Sequence, residues 1–333
     1  MARLSLAHIE CLAADALGRC GANSVQAGPT ARSISDADAE GIRNVGLDYL
    51  PTYCHHLLCG KVVGSAEPVV RLARGATVTV DANSGFCHPA FEAALEPFAE
   101  LTRSHGIALL TISRSYSAGV LGWMVERLAQ RGFVALGFAN SSALVAPWCG
   151  TRPMLGTNPL AFAAPRQSQR PLVIDMATSA TAYVNVRQAA VEGRDIPLGW
   201  AHDAQGKPTS NANDALAGTI APLGGAKGFA LGLMVEILAA GVSGGSWAAD
   251  ASSFLDDRGG PPLVGQVFIA IDPARNNEGF ELRLETMLRA LASESGVRLP
   301  GDRRNDARAG AERDGVDVPD ELVSRIEVLG KAK

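Results

Sequence analysis

Two clusters of small and polar residues in the middle of the chain are candidates for binding an anion. One spans residues 156–159 (GTNP) and the other spans residues 175–179 (DMATS). The apolar runs LAFAAP (160–165) and PLVID (171–175) separate or precede them. A short apolar strand that leads into a small-residue turn is how α/β proteins present backbone N–H groups to a phosphate or a flat cofactor. Two ordinary loops after buried strands have the same composition, so this pattern alone leaves both interpretations open.

A glycine-rich turn, residues 224–228 (GGAKG), opens an apolar helical pattern over 222–245 and is a further candidate anion site. Glycines expose the backbone, a helix N-terminus favours an anion, and Lys227 adds a full charge. A tight turn with a solvated lysine explains the pattern equally well. Neither G-x-G-x-x-G nor G-x-x-x-x-G-K-[ST] occurs in the chain, so neither standard phosphate fingerprint applies.

Other catalytic and metal-binding patterns are weak. Asp175 could act as an acid or base, although a carboxylate in this position more often caps a helix. The adjacent His55 and His56 point to different sides of a helix or strand, so no metal site is predicted. Six scattered cysteines without C-x-x-C spacing indicate neither a zinc knuckle nor a disulfide framework, and they are typical of a reduced cytoplasm.

Composition limits the class of protein. The chain has 333 residues, of which 47% are hydrophobic and 19% charged, with a net charge of −4. This balance argues against nucleic acid or an anionic membrane as a partner. The N-terminal segment has the spacing of an amphipathic helix, and no apolar run reaches the roughly 18 residues of a membrane span. A soluble, cytoplasmic protein is therefore expected.

Hydrophobic periodicity predicts the elements that must position these clusters. Helices are expected at about 3–19, 24–43, 89–106, 118–131, 180–193, 222–245 and 278–295, and strands at 76–82, 107–113, 132–140 and 265–272. Apolar strands that alternate with helices predict an α/β fold, with parallel pairing and both sheet faces covered. The charged tail is expected to lie over the surface.

Four segments in order carry a family resemblance: GTNPLAFAAP, VIDMATS, DAQGKPT and PLGGAKGFALGLMVEIL. They resemble the signature blocks of the malate/L-lactate dehydrogenase-like (type 2) family of NAD(P)H-dependent oxidoreductases. Within it they are most similar to the Δ1-piperideine-2-carboxylate/Δ1-pyrroline-2-carboxylate reductases, whose LPGDRR-like segment recurs at 299–304. The resemblance covers nearly the whole chain.

That resemblance implies an α/β, non-Rossmann nucleotide-binding domain with helical N-terminal and C-terminal segments. The expected division is a helical region at 1–75 that contributes to the substrate site, an NAD(P)H-binding core at 76–290, and a C-terminal segment at 291–333 that packs back on the N-terminal region. The expected partners are a small-molecule carboxylate substrate and a second copy of the chain, in a homodimer with active sites near the subunit interface.

Matching the family's motifs implies which residues surround the cofactor. They are Ser117, Ala118, Gly119, Val120, Leu121, Thr157, Asn158, Asp175, Met176, Ala177, Thr178, Gly225 and Lys227, with Arg303 and Arg304 reaching in from the C-terminal segment. An arginine fork suits a 2′-phosphate, which favours NADPH while leaving NADH open. Adjacent arginines on a charged tail are also common on a plain surface.

The chain departs from the family at its proton-transfer positions. The family has Ser-His-Gly with an arginine three residues on, an Asp after the DMATS segment, and a second histidine. The corresponding positions here are Asn44-Val45-Gly46, Tyr49, Asn185 and Ser117. The simultaneous loss of all these groups indicates a changed chemistry.

The loss favours an imine substrate. Reduction of a ketone produces an alkoxide, which requires an acid, and Val45 supplies none. A cyclic imine carboxylate that binds already protonated needs no proton donor for hydride addition, and the nicotinamide supplies the hydride. Tyr49, Tyr53, Ser117 or a water molecule remain alternative donors, and Arg43 is a candidate partner for the substrate carboxylate.

Two other functions remain open at this point. One is a 2-oxoacid/2-hydroxyacid oxidoreductase with a relocated acid such as Tyr49. The other is a homologue that binds the cofactor and has lost catalysis.

Overall fold

Twelve β-strands and eleven α-helices build the part of the chain that the computed structural model describes, residues 1–331. The strands are β1 (Ala2–Leu4), β2 (Val69–Leu72), β3 (Thr77–Asp81), β4 (Ile107–Ser115), β5 (Val134–Ala139), β6 (Leu160–Arg166), β7 (Gln169–Met176), β8 (Ala201–His202), β9 (Pro208–Thr209), β10 (Thr219–Ile220), β11 (Val264–Ile271) and β12 (Val316–Val318). The helices are α1 (Leu6–Arg19), α2 (Ser24–Ala39), α3 (Leu50–Leu58), α4 (Cys87–His105), α5 (Leu121–Ala129), α6 (Tyr183–Val191), α7 (Ala212–Leu216), α8 (Ala226–Glu236), α9 (Phe280–Ala292), α10 (Asp302–Asp314) and α11 (Asp320–Val328).

Seven strands form the central sheet in the order β2-β3-β4-β11-β5-β6-β7. The predicted parallel pairing is confirmed for β3 and β4, which flank α4. It is wrong for β4 and β5, because β11 lies between them and pairs antiparallel with both. Periodicity predicts that a strand is buried, but it does not reveal that a strand more than a hundred residues later will be inserted beside it.

Both faces of the sheet are covered, as the apolar strands predict. On one face α4 and α5 pack through a core that includes Phe91, Phe98, Met124 and Phe268. On the other face α8 and a π-helical turn over Ile237–Val242 contribute Val235 and Ala239, which pack against Phe138 and Val267. The strand β11 is therefore buried along most of its length.

Some helices are shorter than periodicity predicts. Helix α2 ends at Ala39 and is followed by a 3₁₀ turn over Arg43–Val45. Helix α5 begins only at Leu121, because Gly119 has φ +62° and breaks the helical conformation before it. Positive φ is readily adopted by glycine and strained for other residues.

The two ends of the chain pack together. Strand β1 pairs antiparallel with β12, and Ala2 lies opposite Val318. Ala311, Val316, Val318 and Ile326 are buried in one cluster with α1, α2 and α3. The charged tail is thus a folded layer with a buried apolar side, and the expectation that it simply lies over the surface was incomplete. We retain the division at residues 75 and 290 as a proposal.

Within residues 1–331, no helix combines the length and the hydropathy that crossing a bilayer would require.

Arg308 joins the C-terminal layer to α2, and its replacement should destabilise the fold. Its Nη2 lies 2.8 Å from Asp36 Oδ1 and 3.0 Å from Glu40 Oε1, and the side chain is 11% exposed. Removing it leaves Glu40 partly buried without its cation, so we expect Arg308→Met to lower the free energy of unfolding by about 3 kcal/mol. Urea denaturation at pH 7 measures this change.

Arg313→Met is the matched control, because within residues 1–331 Arg313 pairs only with the neighbouring, exposed Asp314. Exposed ion pairs contribute little, so this variant should resemble the wild type. Equal destabilisation by both substitutions would contradict the assigned role of Arg308.

Candidate functional site

The loop between β4 and α5 lies against a buried phenol. A Cβ atom on Gly119 would lie 3.1 Å from Nε2 of His88 and 3.5 Å from the hydroxyl of Tyr53. The backbone N–H of Gly119 donates to Oγ of Ser117 at 3.3 Å. Glycine therefore allows this loop to approach the two side chains closely, and Ser117 and Tyr53, both predicted as site residues, lie at the same place.

Asp175 is held at the beginning of α5. Its Oδ2 accepts a hydrogen bond from the backbone N–H of Gly122 at 2.9 Å and lies 3.5 Å from Nη1 of Arg304. Burial raises the pKa of Asp175, and Arg304 and the Gly122 N–H offset only part of that effect. Asp175 caps the first turn of α5, where a carboxylate is favoured by the helix dipole. The structure thus joins Gly122, Asp175 and Arg304 in one cluster.

A second cluster forms where β6 begins and β7 ends. The backbone N–H and Oγ1 of Thr178 both donate to the carbonyl of Thr157, at 3.0 and 3.1 Å. Asn158 is fully buried with φ +40°, and its Nδ2 donates to the carbonyl of Gly232 at 2.9 Å. Met176 and Ala177 lie beside this cluster, Met176 with an exposed side chain.

Glu236 on α8 connects this cluster to two further segments. Its Oε2 accepts from Nδ2 of Asn158 at 2.8 Å, and its Oε1 accepts from Nδ2 of Asn140 at 3.2 Å and from the N–H of Ala248 at 2.6 Å. Burial raises the pKa of Glu236, and these donors counteract the shift. Sequence reasoning did not select Glu236. The available signal was a single carboxylate within the apolar stretch GLMVEILAAG.

The glycine-rich turn before α8 lies next to the same cluster. Ser179 and Pro222 form a β-bridge, and the N–H of Leu223 donates to the carbonyl of Thr178 at 2.9 Å. Gly225 has φ +74°, and a Cβ atom there would lie 2.9 Å from the ring of Trp148. Trp148 is a second contributor that sequence reasoning missed.

These three segments form what we call the cofactor cradle: residues 156–158, 175–179 and 224–228. It fits a nucleotide cofactor on two observations. Oδ1 of the buried Asn158 has no hydrogen-bond partner among the described protein atoms, and Lys227 is exposed beside the N-terminus of α8. An exposed helix N-terminus with an adjacent lysine attracts a phosphate. Lys227 and the backbone at Gly225 are the cradle groups suited to hold one, whereas the hydroxyl of Thr178 is buried and already donates to the carbonyl of Thr157.

A cluster of aromatic side chains adjoins the loop over 117–121. Tyr53 packs edge-on against Tyr49 and Tyr116, with ring centroids 4.9 and 5.8 Å apart. Tyr116 in turn packs edge-on against Phe254. Its hydroxyl lies 2.5 Å from Nδ1 of His56, a short hydrogen bond inside the protein. We call Tyr49, Tyr53, Phe86, Tyr116 and Phe254 the phenol cluster.

Burial controls the protonation of this cluster. It raises the pKa of Tyr49, Tyr53 and Tyr116, so all three are neutral phenols near pH 7. Burial lowers the pKa of His56 to about 4, with further effects from Lys61 and His55. It lowers the pKa of the fully buried His88 to about 3, with Arg127 contributing. The imidazoles next to the phenols are therefore neutral as well.

The altered turn over Arg43–Gly46 lies above a buried carboxylate. Oδ2 of Asp38 accepts from the N–H of Leu47 at 2.8 Å, and a Cβ atom on Gly46 would lie only 2.6 Å from that oxygen. Asn44 is exposed, and Nη2 of Arg43 donates to the carbonyl of Asp317 at 2.6 Å. This contact turns Arg43 toward β12. Glycine is required at position 46, because a side chain there would collide with the carboxylate of Asp38.

Asn185 lies on α6 with an exposed side chain, and its Nδ2 donates to Oγ1 of Thr181 at 3.0 Å. The structure therefore brings Tyr49, Tyr53 and the Ser117 loop together, and it leaves Arg43, Asn44 and Asn185 at exposed positions. Arg303 is also exposed, in the first turn of α10.

Comparisons with known proteins agree with this fold. Residues 4–327 match the sequence model of the malate/L-lactate dehydrogenase family. A (2R)-3-sulfolactate dehydrogenase (NADP(+)) from Chromohalobacter salexigens is 41% identical, over 99% of this chain and 98% of its own. A Δ1-pyrroline-2-carboxylate reductase from Ancylobacter novellus is 38% identical, over 98% and 97%. The crystal structure of Δ1-piperideine-2-carboxylate reductase from Pseudomonas syringae pv. tomato superposes with a TM-score of 0.95 and 36% identity, covering 99% of this chain and 100% of that one.

The stability of the protein should depend on pH through Asp38. Burial raises the pKa of Asp38 to about 7, the nearby charge of Asp48 adds to this, and the Leu47 N–H and Arg43 oppose it. A raised pKa in the folded state stabilises the protein fully below the unfolded pKa near 4, and this stabilisation is lost as the pH rises through about 7.

We therefore expect the free energy of unfolding of Asp38→Asn, relative to that of wild type, to increase between pH 4 and pH 8. The change should be on the order of 4 kcal/mol. Urea denaturation at both pH values measures it, and the exposed Asp306→Asn is the control. A difference that does not vary with pH would contradict the assignment.

Proposed function

We infer, since this chain belongs to the malate/L-lactate dehydrogenase family and is an NAD(P)H-dependent oxidoreductase, that it reduces a cyclic imine carboxylate. The proposed substrates are Δ1-pyrroline-2-carboxylate and Δ1-piperideine-2-carboxylate. One observation carries this proposal: Tyr53 and His88, the side chains next to Gly119, are almost fully buried. Burial raises the pKa of Tyr53 and lowers the pKa of His88 to about 3, so both are neutral near pH 7. Such a site has no protonated imidazole to offer a substrate. The names of several relatives agree with it.

The chemistry of the two substrate classes differs in its proton requirement. Hydride addition to a ketone creates an alkoxide, which needs a positioned acid near neutral pKa. A cyclic imine that enters protonated carries its proton on nitrogen already. Hydride addition to its carbon then breaks the C=N π bond, and those electrons become the lone pair of a neutral amine. No proton has to come from the protein in that step.

The residues of this chain bind and orient the reactants. When bound, the reduced nicotinamide supplies the hydride. In this proposal the cofactor cradle holds the nucleotide. The nicotinamide end of the cofactor is held against Tyr53 by Ser117, Ala118, Gly119 and Val120. Tyr53, Phe86 and Tyr116 exclude water from the same place, because their rings are at most 1% exposed. Fixed geometry in a dry site is the main contribution a protein makes to hydride transfer.

A 2-oxoacid/2-hydroxyacid oxidoreductase is the second candidate. A 41% identical relative is named a sulfolactate dehydrogenase, which favours this alternative. Tyr49 would then be the relocated acid, since it replaces the family's arginine and its side chain is only partly buried. The family and its named relatives are oxidoreductases, and they favour an active enzyme over a homologue that binds the cofactor without catalysis.

NADPH is the proposed cofactor. A relative is named as using NADP(+), and Arg303 is exposed without an ion-pair partner among residues 1–331. Arg304 is already engaged with Asp175. Arg303 is therefore the more suitable arginine for a 2′-phosphate.

We also propose a cytoplasmic homodimer. All six cysteines are unpaired, which suits a reducing compartment. A second copy of the chain could cover the exposed apolar residues on and after α8: Leu233, Met234, Ile237, Val242 and Trp247.

Substrate class is tested by following NADPH consumption with the two cyclic imines and with pyruvate, oxaloacetate and 3-sulfopyruvate. We expect the imines to be reduced at least a hundred times more efficiently than the oxoacids, measured as kcat/KM. The preference should be greatest below the pKa of the free imine, where more substrate enters protonated. Efficient turnover of the oxoacids without imine reduction would overturn the proposal.

The variant Tyr49→Phe separates the two candidates. If an imine is the substrate, loss of the hydroxyl should leave kcat within about threefold, because no proton is donated. If an oxoacid is the substrate and Tyr49 is the acid, kcat should fall by roughly 10²–10⁴-fold with cofactor affinity unchanged.

The cofactor proposal is tested with Arg303→Gln. A lost charge-assisted contact is worth about 1.5–3 kcal/mol, so Kd for NADPH should rise roughly ten- to a hundredfold while Kd for NADH stays the same. Calorimetry measures both constants, and the exposed Arg298→Gln is the control. An equal change in Kd for both cofactors, or no change for NADPH, would show that Arg303 does not bind the 2′-phosphate.

A further inference from the structure

A cavity of about 400 Å³ adjoins the phenol cluster. Its wall contains Tyr49, Thr52, His56, Phe254 and Arg187. Tyr49 occupies the position where the family carries an arginine, and it packs edge-on against Tyr53, whose hydroxyl approaches Gly119. Tyr49 and Tyr53 thus connect the wall of the cavity to the loop over 117–121. Its volume is ample for a five- or six-membered ring with one carboxylate.

The acidic groups of this cavity already have partners. Asp256 accepts from the N–H of Arg258 at 3.0 Å and lies 3.7 Å from Nζ of the buried Lys61. Asp257 lies 3.8 Å from Nε2 of His55. Among residues 1–331, neither carboxylate lies within 4.0 Å of a guanidinium nitrogen of the two arginines that also line the cavity.

Arg187 is one of these arginines. No carboxylate among residues 1–331 lies within 4.0 Å of its guanidinium, and its side chain is exposed. Its positive charge acts on the hydroxyl of Tyr49, where it opposes part of the pKa increase that burial causes. Arg187 thus lies close enough to the phenol cluster for a bound anion to touch both.

The position of α6 connects this arginine to the cofactor cradle. The helix starts at Tyr183, shortly after Ser179, which forms a β-bridge with Pro222 next to the glycine-rich turn. Val186 and Ala189 are buried in the apolar cluster beneath the helix, which fixes its rotation. By contrast, Arg325 reaches the cavity from α11 in the C-terminal layer, and Arg43 donates to the carbonyl of Asp317.

We propose that Arg187 binds the substrate carboxylate. From α6, it supplies the positive charge that the family's arginine would supply at position 49, just before α3. This inference rests on the proposed function, since it assumes a 2-carboxylate substrate. A guanidinium binds a carboxylate through two parallel N–H···O bonds, which orient the ring as well as hold it. Arg187 is a binding residue in this proposal and takes no part in proton transfer.

The test compares a substrate that has the carboxylate with one that lacks it. We expect Arg187→Gln to raise KM for Δ1-pyrroline-2-carboxylate by at least tenfold, with kcat within about threefold. The slow reduction of 1-pyrroline, the same ring without the carboxylate, should not change. Arg187→Lys should restore part of the loss in KM, because it keeps the charge and loses the fork.

Arg325→Gln is the matched control, since Arg325 lines the same cavity, and its KM should stay within twofold of wild type. An unchanged KM in Arg187→Gln, or a larger increase in Arg325→Gln or Arg43→Gln, would overturn the inference. If the wild-type enzyme reduces oxoacids instead of imines, the proposed function fails alone. The same variants are then measured with pyruvate, where the predicted rise in KM still applies.

A second readout does not depend on turnover. Phenylglyoxal labels exposed arginines, and peptide mass spectrometry reports each site separately. With NADP⁺ bound, furan-2-carboxylate, a planar ring carboxylate, should protect Arg187 at least fivefold and leave Arg325 and Arg43 labelled as before. If furan-2-carboxylate does not change the labelling of Arg187, Arg187 is not the residue that binds the carboxylate.

Discussion

The hydrogen bonds to the carboxylate of Glu236 are the interaction on which the cofactor cradle depends. A buried carboxylate is costly unless donors surround it, and three N–H donors, from Asn158, Asn140 and Ala248, converge on this one. Each donor belongs to a different segment. The carboxylate of Glu236 therefore fixes the start of β6, the end of β5 and the loop after the π-helical turn. Asn158 can keep φ +40° because this network holds its side chain.

A second carboxylate organises the other half of the site. Asp175 joins the end of β7, the first turn of α5 and α10 through Gly122 and Arg304. Together with Arg308 on the same helix, this contact makes the C-terminal layer part of the wall of the site. A helix rich in charge therefore packs by pairing its arginines with carboxylates of the core, since it has few apolar residues to bury.

The chemistry follows from what surrounds these two supports. Tyr53, Tyr116 and the neighbouring His88 are almost fully buried, so each takes its neutral form near pH 7. A neutral site suits a substrate that brings its own proton, and a carboxylate on that substrate needs a cation from outside the cluster. Arg187 on α6 meets this need, whereas Arg43 is turned toward the carbonyl of Asp317.

The sequence by itself determined the family, the α/β class and the identity of the cradle segments, because motifs and strand periodicity are local properties. It also predicted, from the family resemblance, that the proton-relay residues are replaced at Asn44, Val45, Ser117 and Asn185. Only the tertiary structure decided that β11 separates β4 from β5, that Glu236 and Trp148 support the cradle, and that Arg187 shares a cavity with Tyr49. These facts depend on contacts between residues far apart in the chain, and no local pattern specifies which distant side chain will fill a given space.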